Sequence, residues 1–415
     1  MALLTGMIKN CLAALFLLAA AAGAEAASFS MKRGINLDIW TTWPSEESWS
    51  DEAVLLPFPE WRKSLAHADL EALKETGFDF VRMPVDPAPF LSMKTIALRG
   101  QLFASVLESV RLINEAGLKV VVDLHLIPSE VRSIDMGNVM AEPNLFDAYV
   151  EFVRMMARTL SSQDPALVAL EPMNEPVIDC GEGKSDLWPG RLQKLFAAAR
   201  SSATRLTLVL GGACYSSAEG LTRLDPAKIP DDNIIWTFHS YEPFLLTHQG
   251  ATWAGDFISH VGGLPYPPHA VPRAQLDAAL AAVRARIEAE APWARQSGML
   301  AYLDEQIAML DTPEELQATM DAPFELVGKW AKRHGVKPQN ILLGEFGMIR
   351  QEFESPNVVP AKYRAVYVRD MIARAESHGF AWSMWSYGGA FGVIEEFDGR
   401  KAEPEVLEMV RGLRR

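Results

Sequence analysis

Two glutamates stand out because each follows an apolar run that is typical of a strand. Glu175 lies in the motif MNEP (173–176), and Glu345 lies in the motif LGEFG (343–347). Because a proline disfavours helical geometry at the residue before it, we expect Glu175 at an extended strand tip. The glycines around Glu345 are expected to let backbone and ligand approach closely. Two carboxylates in such positions can act as a general acid and a nucleophile.

Other polar and aromatic side chains occupy the same kind of position, at or near the carboxyl end of an apolar run. Structural strand ends rarely carry a charge or a histidine at nearly every turn, so the set as a whole indicates a functional site. Its members are Asn36, Asp38, Arg82, Asp123, His125, Asn174, His239, Tyr241 and Trp385.

The elements that must position these residues are short apolar runs alternating with amphipathic helices, a pattern that favours a parallel sheet covered by helices. Near-continuous apolar runs are typical of strands buried on both faces. Eight such βα units predict an α/β fold of the (β/α)8 TIM-barrel type, whose active site lies at the carboxyl ends of the strands. The predicted strands are Arg33–Ile39, Phe78–Val85, Lys119–Leu126, Ala166–Glu175, Leu206–Gly211, Ile234–Tyr241, Asn340–Phe346 and Phe380–Ser386.

A doubly wound open sheet is the alternative fold. It would need a glycine-rich nucleotide loop after the first strand, and the segment RGINLDIW (33–40) has none. Helices are predicted over Leu65–Glu75, Gln101–Ala116 and from the capping sequence TPEE (312–315) to about His334.

Residues 242–311 exceed what a minimal barrel needs between its sixth strand and the following helix. They begin with a loop rich in aromatics, His, Gly and Pro, and then show helical patterns over Arg273–Glu290 and Met299–Leu310. Because this insertion follows a strand's carboxyl end, we expect it over the active-site face, as a lid or wall that shapes substrate binding. A purely structural elaboration is the alternative. Residues 27–415 are expected to form a single catalytic domain.

Two carboxylates at the mouth of one barrel suit the cleavage of glycosidic bonds, in which one protonates the leaving oxygen and the other attacks the anomeric carbon. The ordered motifs also resemble glycoside hydrolase family 5, the cellulase-like family of retaining barrel glycosidases. The resemblance runs from RGIN (33–36) through NEP (174–176), FHSY (238–241) and GEFG (344–347) to Trp385.

The resemblance implies a role for each matching residue. Glu175 would be the general acid/base and Glu345 the nucleophile, while Asn174 would hydrogen-bond the 2-hydroxyl of the sugar at the cleavage site. Arg82 and Tyr241 would hold Glu345 ionised and aimed, since a neighbouring cation lowers the pKa of a carboxyl group. The same subsite would be completed by two lining histidines and an aromatic floor, namely His125, His239 and Trp385.

One loop departs from the family pattern. After His125 the family often continues with a polar residue, whereas this chain has LIP (126–128), which changes the hydrogen bonds that the third loop offers. Four further tryptophans are candidates to extend the sugar platform: Trp40, Trp43, Trp253 and Trp382.

The sequence therefore predicts a retaining β-glycoside hydrolase, similar to endoglucanases, that cleaves a β-linked glucan- or mannan-type polysaccharide or oligosaccharide by double displacement. No cofactor or metal is expected. A transglycosylase using the same carboxylates is the alternative. A metal-dependent barrel hydrolase would use Asp123, His125, Glu175 and His239 as ligands but leaves Glu345 without a role. A non-catalytic carbohydrate-binding barrel should have lost one of the two carboxylates.

The net charge of −14 argues against nucleic acid and anionic membranes as partners, and makes a strongly anionic polysaccharide a less natural substrate. At the amino terminus, Lys9, the apolar run Cys11–Ala22 and the motif AEA (24–26) predict a signal peptide over residues 1–26. A retained anchor is the alternative, but the apolar run is short for a bilayer. We expect an exported, periplasmic or extracellular monomer that acts on a carbohydrate and has no membrane contact after processing.

Export also permits a disulfide between the two cysteines that survive processing, Cys180 and Cys214. Each falls just after a predicted strand end on neighbouring barrel units. Two free thiols are the alternative.

Overall fold

The computed structural model describes residues 29–38, 45–56, 65–127, 129, 132–181, 186–352, 355, 357–394 and 404–413. Eight parallel strands pair in sequence order, and the eighth pairs with the first to close a barrel. This confirms the predicted TIM barrel and excludes the open sheet. The strands are β1 (Arg33–Asn36), β2 (Phe80–Val85), β3 (Lys119–Leu124), β4 (Val168–Glu171), β5 (Thr207–Gly211), β6 (Ile234–His239), β7 (Ile341–Glu345) and β8 (Ala381–Met384).

All eight predicted strands are present, and each is shorter than its apolar run.

The layers of side chains inside the barrel explain how the strands position a polar site. A separate cluster of buried side chains takes one member from each of β2 to β8, including Phe80, Val121 and Ala169. Because side chains alternate faces along a strand, the residues two positions further on point into the barrel one layer higher. Those residues are Arg82, Asp123 and Glu171, so a charged layer lies directly above an apolar one.

The first strand shows how closely that apolar layer is packed. A Cβ atom on Gly34 would lie 2.3 Å from the ring of Phe80, so β1 needs a glycine at this position. Two residues later, Asn36 is the residue of β1 that lies in the polar layer. The larger core cluster fills the space between the strands and the surrounding helices.

The helices follow the βα order. The α-helices are Glu52–Leu55, His67–Thr76, Ala88–Leu91, Arg99–Glu115, Met136–Ala141, Pro143–Leu160, Trp188–Ser202, Ala218–Thr222, Phe244–Thr247, Arg273–Glu290, Trp293–Ala308, Pro313–His334, Ala361–Ser377 and Pro404–Gly412, with a left-handed turn over Ala213–Ser216. Shorter 3-10 turns are Glu46–Ser48, Met93–Leu98, Pro226–Lys228, Thr252–Ala254, Ile258–His260, Pro268–Ala270, Pro338–Asn340 and Gly389–Phe391.

Two of the predicted helix boundaries are explained by their caps. The helix after β1 ends at Gly77, whose φ of 128° suits glycine. Thr312 and Glu315 form the expected capping box at the start of Pro313–His334. In the insertion, Arg273–Glu290 forms as predicted, but the next helix begins at Trp293 rather than Met299, directly after Pro292.

The first half of the insertion packs among loops at the carboxyl ends of the strands. The backbone NH of Ile349, after β7, donates to the carbonyl of Thr247 at 2.8 Å. Trp253 contacts Phe391, after β8, with ring centroids 6.3 Å apart. This part of the insertion therefore packs against the loops that follow β7 and β8. Its role as a lid or wall stays a prediction.

Some predictions fall outside the described residues: the signal peptide over residues 1–26, and the possible platform residues Trp40 and Trp43. Within the described ranges, no helix combines the length and the apolar character that crossing a bilayer requires.

Candidate active site

A buried arginine organises the polar layer. Arg82, which is fully buried, donates from Nε to Glu171 Oε2 at 2.7 Å and from Nη2 to Glu171 Oε1 at 3.0 Å. Its Nη1 lies 2.7 Å from Glu345 Oε1, and its Nη2 lies 3.0 Å from Asp123 Oδ2. Nη2 also donates to Asn174 Oδ1 at 2.7 Å. One guanidinium thus contacts three carboxylates on three strands.

The charge balance of this layer shifts its pKa values. Burial lowers the pKa of Arg82, but Asp123, Glu171 and Glu345 together raise it well above its usual value, so it stays charged. Burial raises the pKa of Asp123 to about 7, against the opposing effect of Arg82. Burial also raises the pKa of Glu171. The charge of one guanidinium therefore does not fully offset the desolvation of three buried carboxylates.

Glu345 is the last residue of β7 and has two donors from other strands and loops. Arg82 holds Oε1, and the hydroxyl of Tyr241 donates to Oε2 at 2.9 Å. Burial raises the pKa of Glu345, and the charge on Arg82 opposes this without reversing it. Arg82 therefore acts on the pKa in the expected direction, but desolvation outweighs it and the net shift is upward.

The glycines around Glu345 allow a close approach of the protein's own atoms, as expected for the backbone, while close approach of a ligand stays a prediction. A Cβ atom on Gly344 would lie 2.5 Å from Thr237 Oγ1 and 2.9 Å from His239 Nε2. A Cβ atom on Gly347 would lie 2.1 Å from the carbonyl oxygen of Trp385. They make room for protein neighbours on β6 and after β8, so that His239 and Trp385 can approach the carboxylate.

Glu175 is held quite differently. It lies four residues beyond the end of β4 and has a φ of 39°, so the predicted extended strand tip is wrong. Backbone hydrogen bonds explain the turn. The NH of Asn174 donates to Leu124 O at 3.0 Å, and the NH of Tyr215 donates to Pro176 O at 3.3 Å. These long-range bonds fix both sides of Glu175 and outweigh the preference of a residue before proline.

The Glu175 carboxyl faces the cleft and its side chain is 27% exposed. Its Oε1 lies 2.7 Å from Nδ1 of His239. Burial among the surrounding side chains raises the pKa of Glu175 to about 7. Burial also lowers the pKa of His239 to about 4, so this imidazole is neutral near pH 7. A neutral imidazole can pair with either protonation state of the carboxyl group.

The two glutamates face each other across a short gap. A carboxylate oxygen of Glu175, one of Glu345 and a ring nitrogen of His239 all lie within 4.8 Å of one another. Retaining glycosidases place their two carboxyl groups about 5–5.5 Å apart, whereas inverting enzymes leave about 6.5–9.5 Å for a water molecule.

The remaining predicted residues line the same centre. Nδ1 of His125 lies 2.7 Å from Asp123 Oδ2, and Nε2 lies 3.2 Å from Nδ2 of Asn174. The half-buried ring of Trp385 stacks on His125, with centroids 5.5 Å apart and an interplanar angle of 17°. The structure thus brings together Arg82, His125, Asn174, Glu175, His239, Tyr241, Glu345 and Trp385.

The burial of individual side chains bears on two further expectations, the additional platform tryptophans and the third loop. Trp382 is fully buried and its indole NH contacts Glu376, so the suggestion that it extends a sugar platform is wrong. Trp253 is 59% exposed beside Phe391 and remains a platform candidate. Leu126, at the position that departs from the family pattern, is buried, so its side chain offers nothing to the cleft.

Sequence reasoning did not single out Glu171, which forms two of the hydrogen bonds to Arg82. The signal was a lone carboxylate inside an otherwise apolar strand, two residues after the inward-facing Ala169. Asn36 belongs to the predicted set of polar strand-end residues, but the sequence indicated no hydrogen-bond partner for it. Its Nδ2 lies 3.1 Å from both Gly344 O and Ser383 Oγ, which ties β1 to β7 and β8 at the level of the site.

A disulfide links the loops that follow β4 and β5. Cys180 and Cys214 are bonded with their Cα atoms 4.9 Å apart, which decides between the two alternatives left by the sequence. Cys214, Tyr215 and Ser216 all have positive φ, and the NH of Cys214 donates to Ile178 O at 3.1 Å. The bond therefore connects the segment that carries Glu175 to a left-handed turn on the neighbouring barrel unit.

The donor set argues against a catalytic metal. Among the residues that the structure describes, two groups have ligand atoms close enough to share an ion, Asp123 with His125 and Glu345, and Glu175 with His239 and Glu345. Both include Glu345, which the metal hypothesis left out. Arg82 already lies 3.0 Å from Asp123 and 2.7 Å from Glu345. A divalent cation in either group would lie beside a buried guanidinium, so the residues present do not fit one well.

A closed eight-stranded barrel with two facing carboxylates at its strand ends has the architecture of the barrel glycoside hydrolases. The family model for cellulase, glycosyl hydrolase family 5, matches residues 46–390. The chain therefore belongs to this family, as its motifs suggested.

Curated relatives agree with this assignment, and solved structures share the fold. Endoglucanase 3 of Fibrobacter succinogenes is 23% identical over 348 residues, which cover 80% of this chain and 47% of the relative. Endoglucanase C of Acetivibrio thermocellus is 27% identical over 240 residues, which cover 57% of this chain and 65% of the relative. The chain thus spans about half the length of the first relative and under two thirds of the second.

Two solved structures share the fold. The cellulose synthase subunit Z of Clostridioides difficile aligns with a TM-score of 0.62 at 21% identity, covering 92% of this chain and 99% of that one. An endoglucanase of Thermotoga maritima, solved with cellobiose, aligns with a TM-score of 0.61 at 19% identity, covering 92% and 97%.

Proposed function

We propose that this protein is a retaining β-glycoside hydrolase that cleaves O-glycosidic bonds of a β-linked glucan- or mannan-type chain, as endoglucanases do. The observation that carries the proposal is the facing pair of glutamates, with carboxylate oxygens within 4.8 Å. That gap suits direct attack on the anomeric carbon and leaves little space for an intervening water. Membership of the family supports the same reaction class.

In the first step Glu175 acts as the acid. With its pKa near 7, a useful fraction is protonated at neutral pH and can donate that proton to the glycosidic oxygen. Glu345 attacks the anomeric carbon as the bond from that carbon to the leaving oxygen breaks. The products are a covalent glycosyl ester on Glu345 and the leaving part of the chain, which now carries a free hydroxyl group. Arg82 and Tyr241 hold the attacking carboxylate in place and stabilise its ionised form.

In the second step the roles reverse. Glu175, now ionised, takes a proton from water, and the resulting oxygen attacks the anomeric carbon. The ester bond to Glu345 breaks, and the sugar is released with its original β configuration. His239 lies 2.7 Å from Glu175 and can pair with it in both protonation states. Asn174 is fixed by Arg82 and lies beside His125, where it can contact the hydroxyl next to the reacting carbon.

The names of the relatives suggest the substrate class. The curated relatives include endoglucanases and cellodextrinase A of Ruminococcus flavefaciens. The Thermotoga maritima structures include complexes with cellobiose and with mannotriose. We therefore include soluble β-1,4-glucans and mannans in the proposal. Export to an oxidising compartment and a monomeric state are part of it, and the Cys180–Cys214 bond supports export.

The decisive experiment follows the configuration of the product by proton NMR while the protein degrades cellohexaose or mannohexaose. Retention predicts that the β anomer forms first and then mutarotates. Initial formation of the α anomer would overturn the double displacement. Glu345→Gln should give no product, whereas Glu325→Gln, which changes an exposed carboxylate on the Pro313–His334 helix, should behave as the wild type.

The same experiment separates hydrolysis from transglycosylation. A hydrolase gives only shorter oligosaccharides, whereas a transglycosylase also gives products longer than the starting chain when an acceptor sugar is added. Longer products in excess of hydrolytic ones would replace the proposed reaction with the alternative.

A further inference from the structure

The insertion contains a pocket that the proposed reaction does not use. The pocket lies between the loop 244–258 and the helix Trp293–Ala308 and has a volume of about 300 Å³. We propose that this insertion pocket is a second sugar-binding site, which takes neutral sugar units of the same β-linked chain at a distance from the bond being cleaved. The identity of this ligand rests on the proposed function.

The side chains that line the insertion pocket have the chemistry of a sugar site. Its aromatic members include Phe244, Phe257 and Tyr302, and the last two contact edge to face with centroids 5.0 Å apart. Aromatic faces are electron-rich and attract the C–H faces of sugar rings. The polar members are the ion pair of Arg295 and Asp256 and the amide of Gln306, which supply donors and acceptors for hydroxyl groups.

The net charge of the side chains that line the insertion pocket indicates which class of ligand it binds. Arg295 and Asp256 neutralise each other, and the remaining lining side chains carry no charge. A neutral ligand therefore fits better than a phosphate, a nucleic acid or an acidic glycan, each of which would want an excess of cations. A mixture of aromatic surface and a few polar groups is also the usual composition of a small-ligand pocket.

Exposed aromatic side chains are concentrated on the insertion. Over the described parts of the chain, the strongly exposed aromatic residues are Tyr215, Phe244, Trp253, Trp293 and Tyr302, and all but Tyr215 belong to the insertion. Phe244 is 39% and Tyr302 is 46% exposed, and both line the pocket. Exposed aromatic surface that is clustered in this way is typical of a binding site.

A series of ring contacts places the pocket close to the catalytic centre, which favours the substrate chain as its ligand. Tyr241, which donates to Glu345, contacts His248 with centroids 4.9 Å apart. His248 stacks on Phe244 at 4.0 Å, and Phe244 forms one wall of the pocket. The exposed ring of Trp253 lies 5.4 Å from His248. Because His248 is buried, the exposed rings of Phe244 and Trp253 are the aromatic surface that a glycan leaving the centre on this side can contact before the pocket.

The consequence is a dependence on chain length. A substrate long enough to reach the insertion pocket gains contacts there, whereas a short aryl glycoside fills only the centre. The pocket should therefore contribute to the kcat/KM of long substrates and not to that of short ones.

The test compares Tyr302→Ala with Trp293→Ala. Both residues are exposed aromatics on the same helix, but Trp293 is not part of the pocket lining, so its variant is the matched control. We expect Tyr302→Ala to lower kcat/KM on cellohexaose or mannohexaose by about tenfold, a loss typical of one aromatic contact. Its kcat/KM on an aryl β-cellobioside should stay within about twofold, as should both values for Trp293→Ala.

A binding measurement keeps this inference separate from the proposed reaction. Titration calorimetry of Glu345→Gln with cellohexaose and with mannohexaose should show weaker binding of one of them when Tyr302→Ala is added. Unchanged affinity for both sugars would overturn the pocket proposal even if the enzyme is a retaining hydrolase. Equal losses on the short and the long substrate would also overturn it, since they indicate a structural effect. A wild type that binds the hexasaccharide at the pocket but cleaves nothing would overturn the proposed reaction alone.

Discussion

The two glutamates of the centre are positioned by different parts of the molecule. Glu345 is the last residue of β7, is 3% exposed, and takes donors from Arg82 on β2 and from Tyr241 after β6. Glu175 lies four residues beyond β4 in a left-handed turn, and its nearest side-chain partner is His239. The register of the barrel therefore sets the position of one carboxylate, whereas contacts of the loop after β4 with the end of β3 and with the loop after β5 set the position of the other.

This difference suits the two catalytic tasks that we propose for the glutamates. A nucleophile must stay ionised and point at one carbon atom, so rigid fixation by a cation and a hydroxyl is favourable. An acid/base residue must change protonation twice in each cycle, so a raised pKa and a neutral partner are favourable. The comparison predicts that changes around Glu345 lower kcat/KM on every substrate, whereas changes around Glu175 lower kcat/KM mainly where the leaving group needs a proton.

The largest effect is expected from removing the carboxylates themselves. Glu345→Gln should lower kcat by about 10⁴-fold or more on every substrate, since no other group can form the covalent bond. Glu175→Ala should lower kcat/KM by about 10²–10⁴-fold on unactivated oligosaccharides and much less on a dinitrophenyl β-cellobioside, whose leaving group needs no proton, while kcat on that glycoside should still fall because the second step needs Glu175 as the base. Azide should rescue Glu175→Ala with formation of a β-glycosyl azide. Equal losses for both variants on both substrates would remove the proposed division of roles.

The next largest effect is expected at Arg82. Arg82→Met leaves Asp123, Glu171 and Glu345 buried without their cation, and breaking a buried ion pair in this way costs about 3–5 kcal/mol of the free energy of unfolding. The loss is measured by denaturant unfolding at pH 7. Activity should fall on activated and unactivated substrates alike, because Arg82 supports the nucleophile.

Arg82→Lys is the matched variant. It keeps one charge but loses the planar fork that bonds Glu171 twice, so it should fall between the wild type and Arg82→Met in both measurements. A methionine variant as stable as the wild type would show that the guanidinium does not organise the polar layer.

The pH dependence separates the two carboxylates without mutation. Because the pKa of Glu175 is about 7, it is protonated below that pH and ionised above it. The kcat/KM for cellohexaose should therefore fall above pH 7, approaching about tenfold per pH unit. With the dinitrophenyl glycoside this alkaline fall should disappear, whereas the acidic limb, which reports ionisation of Glu345, should remain. An alkaline fall of equal size on both substrates would assign it to a group other than the acid.

The difference between the two glutamates also explains which features of the site could be predicted from the sequence. The eight strands and most of their terminal polar residues were predictable, because a parallel strand is apolar on both faces and its carboxyl end meets the cleft. Glu345 lies within such a pattern and was placed well. The geometry of Glu175 was not predictable, because hydrogen bonds from residues around Cys214 and Tyr215, far along the chain, decide it.

The other errors have a similar origin. Glu171 was missed because one carboxylate in an apolar run gives no sign of its partner, which is Arg82 on another strand. The burial of Trp382 depends on how β8 faces the helices rather than on its neighbours in the sequence. The early start of the helix at Trp293 was accessible in principle, since a proline at 292 commonly precedes a first helical turn.

The smallest effect on activity is expected from the disulfide, and it tests the comparison most sharply. Replacing Cys180 and Cys214 by serine together should lower the free energy of unfolding by about 2–4 kcal/mol, as is typical for removal of a disulfide. The backbone hydrogen bonds of Cys214 to Ile178 and of Tyr215 to Pro176 remain, so the loop should loosen rather than unfold.

For the variant that lacks the disulfide, we expect a loss in kcat/KM of only about two- to fivefold on cellohexaose, well below the cost of removing the acid itself. The loss should be absent on the dinitrophenyl glycoside, because the bond supports the segment of Glu175 and not the strand of Glu345. An equal loss on both substrates would show that the disulfide stabilises the whole mouth of the barrel and that the two carboxylates are not positioned independently.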